Sequence, residues 1–323
     1  MELDKRGDYT YLRGFAASLT MSAQPHHHLT PLALVLVVVL ALGWGVNWPV
    51  MKFVVTEIPV LHFRVICLAG GALGLFALAQ LSGQRLAIPA GQWPRIIAIA
   101  LFNTVAWNLF TGYAITMLPA GRASILGFTM PLWSVPLSMW LLHERPSRRR
   151  LAGLGAGLAG LALLVWDEAT RLHGAPLGVA LMLGAALCWA IGTLMIKLYP
   201  VDLPPSSLTA WQLGLALPPI VLAALVFEPE GMPVPDAEQV VGLAYVVLVA
   251  FILCHWAWYK LVTLVSVTVS SISSMLVPVV GVVSGMWMLG EELRWQEVTA
   301  LALVLAALAS VMLEQQPPSS RQT

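Results

Sequence analysis

Apolar stretches of about 20 residues alternate along this chain with short breaks rich in proline, glycine and charge. A run of that length matches the hydrocarbon thickness of a bilayer when helical. The pattern predicts helices near 32–52, 60–81, 94–117, 121–142, 149–166, 176–198, 206–227, 239–261, 267–289 and 296–313. Breakers fall between them: Pro89 and Pro94, Pro119 and Gly121, Pro200 with Pro204 and Pro205, and Pro229 with Pro233 and Pro235. The fold class expected is an all-α integral membrane protein of ten transmembrane helices. The organisation expected is a polar segment over 1–30, a first five-helix unit over 31–167, a second over 175–315 and a tail over 316–323.

The two units resemble each other. Trp44 and Lys52 match Trp189 and Lys197 at an offset of 145, and Pro131, Trp140 and Glu144 match Pro278, Trp287 and Glu291 at 147. Five helices per unit is an odd number, so the second copy must enter the membrane from the opposite face. Charge agrees. With the N-terminus inside, twelve of the 17 Lys and Arg fall on the inner side, leaving Lys52, Arg64, Arg122, Arg171 and Arg294 outside among Glu228, Glu230, Asp236, Glu238, Glu291, Glu292 and Glu297. A 5+5 inverted-topology repeat around a central cavity follows, with both termini cytoplasmic. Such repeats place a site near the midplane and permit alternating access.

Composition narrows the function. Of 323 residues 59% are hydrophobic and 10% charged, which leaves no room for a large water-soluble domain, and a net charge of +1 gives no case for nucleic acid. Cys67, Cys188 and Cys254 sit in apolar runs without metal or disulfide spacing. His26, His27 and His28 belong to a polar lead-in, and the first apolar run is expected to remain as a signal anchor. No Ser-His-Asp or HExxH constellation is present, so an enzyme is not expected, nor is any cofactor or metal.

No Asp or Glu lies near a predicted helix midpoint. The candidate cavity wall is instead amide and aromatic. Asn103 and Trp107 share a face of the third helix, with Asn108 rotated about 100° from Trp107. Trp133, Trp189 and, more loosely, Trp211 and Trp258 fall too deep for interfacial anchoring, unlike Trp93, Trp140, Trp287 and Trp295 near helix ends. Trp44 and Asn47 precede Pro49, which frees the Gly45 carbonyl. Gln212, His255, Tyr259 and Ser274 complete the set; for each residue ordinary packing is the competing role. Pro49, Pro131, Pro136 and Pro278 are the hinge candidates. Glu144 and Glu291 read as helix-end acids within reach of Arg145 and Arg294, and Gly153, Gly157 and Gly160 as a close-packing face.

A proline in the fourth helix of each unit, then a helix-end Glu (Leu142-His143-Glu144-Arg145 and Leu289-Gly290-Glu291-Glu292) and a small-residue helix, resembles the EamA-type repeat of the drug/metabolite transporter superfamily over about 30–315. Aromatic density makes the chain similar, within that superfamily, to YddG-type amino-acid exporters. The resemblance implies ten helices, both termini cytoplasmic and export of small metabolites. The activity expected is inner-membrane export of neutral or aromatic amino acids, and the small-residue face of the fifth helix is expected to pack within a monomer, with a dimer as the alternative. A cationic-drug or nucleoside exporter of the same fold is the second reading, and a membrane enzyme or sensor the third.

Overall fold

The computed structural model describes residues 30–141, 146–170, 175–265 and 267–312, with side chains at 267–273 and 311–312 outside that set. The triple histidine, Glu144, Arg145, Arg171 and the side chains of Ser270, Ser271 and Ser273 therefore lie outside the described residues. All regular structure among those described is helical. The helices are α1 (Pro31–Val54, interrupted at Val46), α2 (Val60–Leu81), α3 (Trp93–Met117), α4 (Ala120–Leu141, broken after Gly127), α5 (Arg148–Thr170), α6 (Pro176–Leu198), α7 (Pro205–Phe227), α8 (Ala237–Leu264), α9 (Val267–Leu289) and α10 (Trp295–Met312). The first eight are long and apolar enough to cross a bilayer; Ser274–Leu289 and Trp295–Ser310 are shorter apolar helices.

Local chemistry explains the boundaries. Thr30 caps α1, its Oγ1 accepting from Ala33 N at 3.2 Å, with Pro31 as the first helical residue. Asp236 and Gln239 form a reciprocal capping box at the start of α8. Gly83 and Gly290 end α2 and α9 at φ 66°, a left-handed conformation that costs glycine little. Pro131 cannot donate to the Gly127 carbonyl and crowds it, and α4 breaks at that turn. Two stretches widen into π turns, Leu101–Ala106 within α3 and Tyr245–Leu253 within α8.

The helices pair across the chain: α2 on α7, α3 on α6, α1 on α8 and α9, α4 on α9, and α5 on α10. Small residues permit the close approaches. Gly45 abuts Val280, Gly121 abuts Val282, and Gly281 abuts Ser124 and Trp48. The expected glycine face of α5 meets α10 and α4, with Gly153 against Ser310, Gly157 against Leu132 and Ala307, and Gly160 against Ala300 and Leu303. A Cβ on Gly157 would lie 2.2 Å from Leu132 Cδ2, whereas one on Gly155 meets open space. Gly157→Val should therefore cost about 1–3 kcal/mol by overpacking and lower the thermal midpoint of the detergent-solubilised protein, while Gly155→Val leaves it unchanged. Equal midpoints for the two variants would contradict this packing.

Of the tryptophans expected near helix ends, Trp93, Trp140, Trp287 and Trp295 are exposed, as is Trp166. Two charges counted above as outer-side residues are not surface groups. Arg64 and Arg122 are 2% and 0% exposed, each about one turn or less inside its helix and turned into the protein.

Candidate functional site

The widened turn of α3 and the middle of α6 form one polar-aromatic contact. Asn103 Nδ2 donates to the Trp189 carbonyl at 3.2 Å, and the indoles of Trp107 and Trp189 lie 5.0 Å apart at 59°. Gly192 makes the approach possible, since a Cβ there would come within 2.6 Å of Asn103 Cβ. Phe110 extends the aromatic surface over Gly184. Asn103 and Trp107 do address one partner, as their spacing predicts. Asn108 is instead buried and donates to the Thr104 carbonyl one turn back at 2.9 Å, a bond within its own helix.

A second contact joins α1 to the widened turn of α8. Trp44 Nε1 donates to the Ala250 carbonyl at 3.0 Å, and its ring meets His255 edge-on at 5.7 Å and Trp258 at 6.1 Å. His255 Nδ1 lies 2.7 Å from the Phe251 carbonyl, so one ring nitrogen is engaged by its own helix. Tyr245, which the sequence reading did not single out, donates from its hydroxyl to the Gly43 carbonyl at 3.0 Å beside the interruption at Val46. A π turn leaves carbonyls without their regular partner, and Ala250 O, on the widened segment, receives an indole N–H. Asn47 Oδ1 and Trp133 Nε1 are buried without a hydrogen-bond partner.

The remaining candidates separate from these two groups. Trp211 donates to the Leu86 carbonyl at 2.7 Å and packs edge-on against Phe76 and Trp93 at the Arg85 end of the bundle. Gln212 accepts weakly from Thr104 Oγ1 at 3.4 Å. Tyr259 hydrogen-bonds Thr209, tying α8 to α7, and Ser274 is half-buried. Pro49 and Pro278 are buried, Pro131 half-buried and Pro136 exposed; the Pro278 carbonyl accepts from Ser124 Oγ at 3.4 Å, bridging α4 and α9.

The opposite end holds most of the charge chemistry, which helix spacing does not disclose. Arg122 is enclosed by Asp167, at 2.6 Å, and by Glu168 and Glu297, so α4, α5 and α10 share one cation. Gln296 Nε2 donates to Asp167 Oδ1 at 3.0 Å, and Arg294 approaches the same oxygen at 3.9 Å. Glu291 does not take Arg294; its carboxylate accepts from the backbone N–H groups of Ala120 and Gly121 at the start of α4. Glu228 does the same for α2, accepting from Leu61 N at 3.0 Å, His62 N at 3.1 Å and facing His62 Nδ1 at 2.9 Å. Carboxylates at helix starts satisfy otherwise orphaned donors and oppose the positive end of the dipole. A cleft of about 560 Å³ opens here between Lys52, Phe53, Glu291, Glu292, Arg294 and Glu297. None of the cavity or hinge candidates selected from sequence lines it.

Comparison with known proteins adds lineage to this geometry. The sequence pattern of the EamA-like transporter family matches residues 31–166 and again 176–313. The chain is 28% identical over 293 residues to a probable amino-acid metabolite efflux pump of Salmonella typhimurium, covering 86% of this chain and 92% of that one. It is 24% identical over 277 residues to the uncharacterized transporter YoaV of Bacillus subtilis, covering 84% and 94%. A protein of solved crystal structure superposes with a TM-score of 0.62 at 19% identity, over 87% of this chain and 96% of that one, a likeness of fold.

Proposed function

The chain belongs to the EamA-like transporter family and is a multi-pass membrane transporter; on that premise we propose that it exports neutral or aromatic amino acids by alternating access. The cargo would sit between α3 and α6 at half their length, where the Trp107 and Trp189 indoles and the Asn103 amide come together. That contact is the observation that carries the reading. Indoles offer apolar and π surface, and an amide hydrogen-bonds a zwitterion without a standing charge. Delocalised cations fit less well, because no carboxylate among the described residues joins this group.

The inverted 5+5 arrangement, with all ten helices crossing the membrane and both termini inside, is part of this proposal. Several features support it. The family pattern matches twice, at 31–166 and 176–313. The π turns fall in the third helix of each matched segment. Trp44 and Trp189, equivalent by offset, each pack on the widened helix of the other segment. Exchanging each helix with the one five places along converts the α3–α6 contact into α8–α1 and returns α2–α7, α4–α9 and α5–α10 to themselves. The two candidate units, 31–167 and 175–315, would then rock about the cavity between them, with Pro49, Pro131, Pro136 and Pro278 placed to bend.

Purified protein in liposomes should give saturable efflux of phenylalanine or threonine down its gradient. Flux equal to that of empty liposomes across a panel of amino acids would rule out the proposed cargo.

A further inference from the structure

Among the described residues, Arg64 is the one fully enclosed cation that the reading above leaves without a task. It is 2% exposed, and none of the ion pairs among the described residues involves it. Arg122, equally buried, has three carboxylates. A guanidinium carries five N–H donors in a fixed fork. Here Nη2 donates to Thr111 Oγ1 at 2.9 Å, Nη1 reaches only the Met51 sulfur at 3.6 Å, Nε has no hydrogen-bond partner, and the guanidinium carbon lies 5.2 Å from the centre of the Phe63 ring. A buried charge this poorly compensated is costly, and within a membrane such a group marks function by default.

Its surroundings connect it to the aromatic pair. Thr111 Oγ1, which accepts from Arg64, donates in turn to the Trp107 carbonyl at 2.7 Å. Thr111 stands one helical turn from Trp107, about 6 Å along the axis. Gly112 lets α3 close over the unpartnered edge: a Cβ there would lie 3.1 Å from Arg64 Nε and 2.7 Å from Val60 Cγ1.

We propose that Arg64 is the anchor for the α-carboxylate of the transported amino acid, so that the cargo must be a carboxylate anion or zwitterion. This rests on the exporter reading above and sharpens it. Met51, Thr111 and Gly112 enclose the guanidinium in this structure, so the carboxylate engages it when α3 moves off α2. The wide turn at Leu101–Ala106 provides the place for α3 to bend. Charge-assisted, bidentate pairing with a carboxylate would then use the idle fork.

The test compares phenylalanine with phenylalaninamide and phenethylamine, which keep the ring and ammonium and lose the carboxylate anion. In liposomes holding the wild-type protein, unlabelled phenylalanine should compete for labelled phenylalanine flux at least ten-fold better than either analogue. Arg64→Gln should weaken phenylalanine at least ten-fold and abolish the discrimination. Arg64→Lys keeps the charge without the fork and should weaken phenylalanine more than the amide, which decides the matter if Arg64→Gln does not fold. Analogues that compete as well as phenylalanine on the wild type, or a folded Arg64→Gln protein that still discriminates, would overturn the anchor and leave the exporter standing. No phenylalanine flux above empty liposomes would remove both.

Discussion

Arg122→Met should nearly abolish folded protein in the membrane. The guanidinium is the shared cation of Asp167, Glu168 and Glu297, all buried, and it joins three helices. Removing one member of a buried ion-paired set costs about 3–5 kcal/mol, because the charges left behind cannot rehydrate. That is a large share of the stability of most proteins. Arg85→Met is the matched control: its pair with Asp202 is exposed, at 50% and 76%, and such pairs contribute at most about 1 kcal/mol. Yield in membranes and the thermal midpoint in detergent provide the measurement. Wild-type values for Arg122→Met would mean that the network is incidental to stability.

Trp107→Ala should reduce transport more than any other substitution in the aromatic group. The change removes one of the two facing indoles and leaves the Asn103 bond to the Trp189 carbonyl in place. Loss of an aromatic stack and its buried area corresponds to at least a ten-fold drop in flux at subsaturating substrate. Asn103→Ala should act through the polar half of the same contact, raising the half-saturation concentration with a smaller effect on folded yield. Unchanged flux in both variants, each confirmed as folded, would move the cargo elsewhere in the bundle.

Helix positions were legible because a bilayer imposes a length, and because Pro59, Pro94, Pro119, Pro176 and Pro205 sit at helix starts where proline is tolerated. The pairing of Asn103 with Trp107 was legible for the same reason, a four-residue spacing on one rod. The π turns were not: Leu101–Ala106 and Tyr245–Leu253 contain no proline or glycine, so nothing in the local chemistry marks the widening. Arg64 and Arg122 were misplaced because charge sorting counts residues near helix ends as loop residues, and a position within the first turn or so can face in or out. Trp211 has the depth of a core residue along its helix, yet its indole is taken by a loop carbonyl from a distant part of the chain.

The roles of Glu228 and Glu291 had a signal that was overlooked. Both α2 and α4 follow a proline, Pro59 and Pro119, that supplies no side-chain acceptor for the exposed amides. A helix start without a local cap is stabilised by a carboxylate from elsewhere. The sequence shows the need and not the donor.

These borrowed caps also order biosynthesis. The amides that open α2 and α4 belong to the first matched segment, and the carboxylates that quench them lie at 228 and 291 of the second. A ribosome that has delivered only the earlier portion leaves both openings bare, so that portion matures late, upon arrival of its sibling. Severed and produced as separate polypeptides, the two pieces should each be fragile alone and regain durability only when made together.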